Sequence, residues 1–186
     1  MRIYDNLPSL TVYEAQRFWM TPDTVLAAAL LHRSPEARKF FANVTNRGLI
    51  PFRRFDNKRT SPRHYNLAAP IMARLMWEMV RRGRTYEFAA VGARDAATAL
   101  FDAVADFDTI GDFASAFPWK VIFVSQASPL ASAIAKTMSA PEVTAEAIAD
   151  FAWFTCEAIP IHGLIYQTLN SYAGVWHSAR DKGDAE

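Results

Sequence analysis

The chain has 186 residues, about half of them apolar, which is enough for one domain or two small ones with a real core and excludes a predominantly disordered chain. Charged residues make up 21%, with 20 Lys and Arg against 19 Asp and Glu, so the net charge of +1 describes an unspecialised protein. One cysteine, Cys156, excludes an internal disulfide. The longest apolar run, Val25 to Leu31, spans seven residues, short of the roughly 20 of a membrane helix, and no apolar run near Met1 fits a signal peptide; a cytoplasmic protein without a membrane span is expected.

After an N-terminal arm over residues 1–10, Thr11-Val12-Tyr13-Glu14 fits a capping box and predicts a first short helix. Thr21-Pro22-Asp23 and Ser34-Pro35-Glu36 each combine a cap residue, a Pro at the first helical position and an acid, predicting two more helices. The third of these should run from Pro35 to about Arg47, with Gly48 and Pro51 as stop signals. At helical spacing Ala37, Phe40, Phe41 and Val44 share one side, while Arg38, Lys39, Asn43, Asn46 and Arg47, with Glu36 and Ala42, fill the other. Phe52-Arg53-Arg54-Phe55, a polar turn Asp56-Asn57-Lys58-Arg59 and Thr60-Ser61-Pro62-Arg63-His64-Tyr65 read as a basic hairpin on the protein surface, where an edge tolerates Pro62. A fourth helix follows Asn66 and ends at Gly83, and Thr85 caps a short one to Val91.

Gly92-Ala93-Arg94-Asp95 is the expected junction between two units, because the charge changes sign there. Residues 33–84 carry thirteen Lys and Arg against three acids, +10, whereas residues 85–186 carry five bases and thirteen acids, −8. Such asymmetry favours a polyanion-binding module joined to an acidic module of another purpose. In the acidic part, helices are expected over Ala96–Phe107, from Ser128-Pro129 to Ser139, from Pro141 or Thr144 to Cys156, and over Leu164–Ser178; strands are expected at Trp119–Ser125 and Ile159–His162. The fold class is mainly α with minor β: a winged helix-turn-helix over residues 11–92, a helix-rich α+β unit with a two-strand sheet over 95–178, and a flexible tail over 179–186.

Gly48-Leu49-Ile50-Pro51, a basic wing closing on Arg63-His64-Tyr65, and a helix ending Val80-Arg81-Arg82-Gly83-Arg84 before Thr85 resemble the DNA-binding domain of MerR-type regulators over about residues 22–92. The resemblance implies that the residues before Gly48 form the recognition helix. The chain departs from the family in a recognition helix about one turn longer, a wing about two residues longer, and the absence of a heptad-patterned dimerisation helix after Gly92. The family's metal or drug sensing is therefore not carried over.

On the residues' own chemistry, Arg and Asn on one helix face can pair with guanine and adenine in a major groove, and wing Arg and Lys can reach phosphates or the minor groove. The expected DNA-binding residues are Arg38, Lys39, Asn43, Asn46, Arg47, Arg53, Arg54, Lys58, Arg59, Arg63, His64 and Tyr65. Catalysis has little to stand on: His32, His64, His162 and His177 have no second ligand at helical spacing, and no Gly-rich phosphate loop or Gly-x-Ser-x-Gly elbow occurs. No metal, cofactor or enzymatic activity is expected. Trp119, Trp153, Phe154 and Trp176 read as core. The expected function is a bacterial transcriptional regulator that binds double-stranded DNA as a homodimer through its C-terminal part. The alternative is an adaptor or antitoxin-like protein whose basic segment meets an acidic partner.

Overall fold

Three hydroxyl caps start the first three helices. The computed structural model describes residues 10–56, 58, 60–116, 120–126, 132–151 and 155–182. In α1 (Val12–Arg17) the Glu14 amide donates to Thr11 Oγ1 at 3.2 Å and the Thr11 amide donates to Glu14 Oε2 at 3.1 Å, a complete capping box. Bonding to Thr11 also holds the Glu14 carboxyl below its ordinary range. Thr21 caps α2 (Pro22–Ala28) and Ser34 caps α3 (Pro35–Asn46). Gly48, at φ +71°, ends α3 with the Leu49 amide on the Val44 carbonyl and the Gly48 amide on the Thr45 carbonyl, a Schellman stop that a residue with a Cβ adopts only under strain. Gly83, at φ +84°, ends α4 (Ala68–Arg81) in the same way.

Thr85 caps α5, but the helix runs from Tyr86 to Val104 without a break, merging the two helices expected there. Gly92 lies inside it because α5 crosses β1 closely: a Cβ at Gly92 would sit 2.5 Å from Val124 Cγ2. The division drawn at residues 92–95 is therefore not a break in the fold. Helix α6 (Ile110–Ala116) follows, then strands β1 (Lys120–Gln126) and β2 (Ala133–Ser139), helix α7 (Ala145–Phe151), strand β3 (Thr155–Pro160) and helix α8 (His162–Asp181).

The strands form an antiparallel sheet in the order β2-β1-β3, with Ile122 level with Thr137 on one side and Ile159 on the other. Three strands replace the expected two. The helix expected from Ser128 to Ser139 is corrected to a strand over its last seven residues, Ala133–Ser139; Ser128 and Pro129 lie outside the described residues. Residues Ala133, Ala135 and Thr137 alternate toward α5, where the Thr137 hydroxyl donates to Asp95 at 2.6 Å, and β1 supplies the backbone partners that a helix would have found in itself. The helix expected to reach Cys156 ends at Phe151, and the chain pairs with β1 from Thr155 on.

One apolar core runs from end to end. It contains Val25 and Phe41 of the basic part together with Leu169, Tyr172 and Trp176 of α8, and the Tyr172 hydroxyl donates to the Ala15 carbonyl of α1 at 2.7 Å. Helix α8 packs on α2, α4 and α6, while α5 packs on α4, β1 and β2. The expected tail is partly helix, since α8 continues to Asp181 with the Arg180 guanidinium 5.3 Å from the Trp176 ring centre. Likewise Leu10, placed in the N-terminal arm, is fully buried, and its carbonyl accepts from the Ile110 amide at 2.8 Å. Trp119, Trp153 and Phe154 lie outside the described residues, as do residues 1–9 of the arm. Among the described residues the fold is mixed α/β, eight α-helices with a three-strand antiparallel sheet, and no helix is long and apolar enough to cross a membrane.

Candidate nucleic-acid interface

Helices α2 and α3 meet across a short turn, Ala29–Ser34, in which Leu30 takes φ +59° and the Leu31 amide bonds the Leu26 carbonyl at 2.8 Å. Ala37, Phe40, Phe41, Val44 and Thr45 of α3 are buried, which forces the opposite side outward: Arg38, Lys39, Ala42, Asn43, Asn46 and Arg47 are all exposed. Lys39, Asn43 and Asn46 make no side-chain hydrogen bond to another described residue. Arg38 faces Asp23 at 3.5 Å across solvent, a contact worth little in energy. Arg47 turns toward the start of α5, donating to Glu87 at 2.7 Å with its guanidinium 4.9 Å from the Tyr86 ring centre. The helix is 12 residues long, about 18 Å at 1.5 Å per residue.

The hairpin is anchored by two isolated bridges rather than by long strands. Arg53 and His64 exchange backbone bonds at 2.8 Å each, and Met20 and Tyr65 do so at 2.8 and 2.9 Å. These tie the wing to itself and to the strand-like segment before α2. Alternation along the wing then sorts its cations. Arg53 is exposed, with its guanidinium 5.8 Å from the Trp19 ring centre and 5.4 Å from that of Phe55. Arg54 is half-buried, donating to the Ser61 carbonyl at 3.1 Å over the Phe52 ring. Arg63 also lies over Phe52, at 4.6 Å, and donates to Thr45 Oγ1 at 3.2 Å, so it joins the wing to α3. Lys58 is exposed; Arg59 lies outside the described residues. His64 is half-buried with its ring 4.6 Å from Phe55.

Tyr65 is the clear correction. It is 1% exposed, packed on Phe41 at 5.3 Å and Phe52 at 6.2 Å, and burial raises its phenol above the ordinary tyrosine value. It closes the wing against the core. Between α2, α3 and the wing lies an open cleft of about 300 Å³ lined by Asp23, Arg38, Asn46, Thr45, Arg63 and their neighbours. Trp19 is a residue sequence reasoning did not place: it meets Phe55 edge-to-face at 5.7 Å from the turn between α1 and α2, and nothing local in the chain marks that contact.

The acidic part reaches back to the basic one. Glu157 on β3, only 13% exposed, accepts from Arg84 Nε at 2.5 Å and faces Arg82 at 3.7 Å. Together with Arg47–Glu87, these pairs engage three cations at the α3 and α4 ends, while Arg33, Lys39, Arg53, Lys58 and Arg81 are exposed and form no ion pair with a described residue. Among the described residues no group of His, Cys, Asp and Glu could hold a metal ion. No protein-family model matches the chain, and no curated protein matches it.

Proposed function

We propose that the chain is a sequence-specific double-stranded-DNA-binding transcriptional regulator with a MerR-like winged helix-turn-helix. The observation that carries the reading is the outer row of α3, Arg38, Lys39, Asn43 and Asn46, exposed on a rigidly backed helix next to an anchored wing bearing Arg53 and Lys58. A helix of this width enters a major groove, where Arg and Lys suit the acceptor pair of guanine and Asn the donor and acceptor of adenine. Arg53 and Lys58 neutralise phosphates and fix register, and Arg63 serves the wing's position rather than the duplex. Two half-sites are read by a dimer joined through the acidic part, and the mechanism is binding without chemistry.

The test uses the full-length chain, because a fragment ending near residue 94 would cut α5 in mid-helix. Fluorescence anisotropy on labelled duplex DNA over a range of salt should give an affinity that falls steeply as salt rises, with a slope of about −0.9 per phosphate neutralised. Arg53→Ala should weaken all duplexes alike and shallow that slope. Absence of duplex binding at low salt, or tighter binding to single-stranded RNA, sinks the reading.

A further inference from the structure

Most aromatic rings of the wing are covered. Tyr65 is in the core, and Phe52 lies under the guanidinium groups of Arg54 and Arg63. Phe55 is different: it is 58% exposed although it is held on several sides, by the Trp19 edge at 5.7 Å, the His64 ring at 4.6 Å and the Arg53 guanidinium at 5.4 Å. Beyond it the Asp56 carboxylate accepts from the Lys58 amide at 3.3 Å and from the Ser61 hydroxyl. A large apolar ring packed against three neighbours yet facing water is suited to insertion into another surface.

The charges around it select that surface. Arg53 lies against the ring and Lys58 is exposed three residues further on, while the carboxylate of Asp56, the acid in this hairpin, accepts from the loop's own donors. A polyanion with apolar interior layers matches this arrangement, and a duplex has both: phosphates outside, stacked bases within. One exposed ring, rather than a row of them, fits a single insertion between base pairs better than the tracking of a single strand, which uses successive aromatic platforms. We propose that Phe55, braced by Trp19 and flanked by Arg53, is a wedge that partly unstacks one base step of each half-site. The inference rests on the DNA-binding reading above and adds to it a deformation of the bound DNA. The insertion exchanges the hydration of an exposed phenyl ring for contact with base faces, and it is cheapest at flexible pyrimidine–purine steps.

The experiment selects short duplexes from a random library with the full-length protein, then substitutes 2-aminopurine for each adenine in turn and follows its fluorescence on binding. Wild-type protein should raise the signal at one step in each half-site. Phe55→Ala should abolish that rise and weaken binding by about tenfold, while Phe55→Leu, which keeps an apolar wedge, retains most of both. Because the ring is largely exposed, the thermal midpoint of the Phe55→Ala protein should match wild type, separating the effect from misfolding. Duplex binding by wild type with no rise at any step, or a rise that survives in Phe55→Ala, overturns the wedge and leaves the DNA-binding reading standing. Failure to bind any duplex overturns both.

Discussion

Replacing Tyr172 by Phe removes one oxygen atom from the centre of the molecule. The phenol is fully buried on α8 and donates to the Ala15 carbonyl in the last turn of α1, where carbonyls have no helical amide to accept from. The ring itself keeps its edge-to-face contact with Phe18 at 5.8 Å, so packing changes little. What is lost is a buried hydrogen bond whose acceptor cannot reach water, a cost of about 1–3 kcal/mol. For a chain of this length that lowers the melting midpoint by about 2–4 °C per kcal/mol. Urea unfolding followed by far-ultraviolet dichroism and by tryptophan fluorescence should show one transition shifted equally in both signals, because α1 and α8 belong to one core. An unchanged midpoint, or a shift confined to one of two separate transitions, would refute the claim that α8 holds the N-terminal helices in place.

Three further outcomes follow from the same core. Burial raises the phenols of both Tyr65 and Tyr172 above the ordinary value of 10, so the unfolded chain ionises first; stability should be full below about pH 10 and fall as pH climbs above it, by up to ~1.4 kcal/mol per pH unit for each phenol, with a shallower fall in Tyr172→Phe. Gly92→Ala places a Cβ 2.5 Å from Val124 Cγ2; overpacking of about 1–3 kcal/mol should outweigh the roughly 1 kcal/mol gained in helix propensity, and Gly92→Val should cost more, both read by chemical denaturation. A fragment of residues 1–94 should fail to give a cooperative unfolding transition, since it loses α8 and the sheet that cover α2, α4 and α5; a sharp transition in that fragment would contradict the single core.

The helices of the basic part were legible because their signals are local. Thr11, Thr21 and Ser34 cap, and Gly48 and Gly83 stop, through bonds made within a few residues. The exposed row on α3 was legible for the same reason, as its amphipathic pattern decides which side is buried. What escaped sequence reading depends on distant partners. Gly92 looks like a junction in the chain, yet it is a contact point for β1, and Ala133–Ser139 becomes a strand because β1 lies beside it. The sign change in charge after residue 84 suggested two modules, whereas Glu157 and Glu87 sit against Arg84, Arg82 and Arg47 across it. In the candidate site, period-two alternation sends Tyr65 inward as a core residue, and only the fold brings Trp19 under Phe55.

The central claim is that the outer row of α3 reads base sequence. The most direct measurement is selection of random duplexes by the full-length protein, repeated with Asn43→Ala, whose side chain is exposed on that row and contributes nothing to the core. The account predicts an enriched motif with wild type and the same motif with relaxed choice at one base pair in the variant, a loss of about 1–3 kcal/mol of discrimination there. A library that stays flat with wild type, or a motif unchanged by Asn43→Ala together with Lys39→Ala, would contradict it.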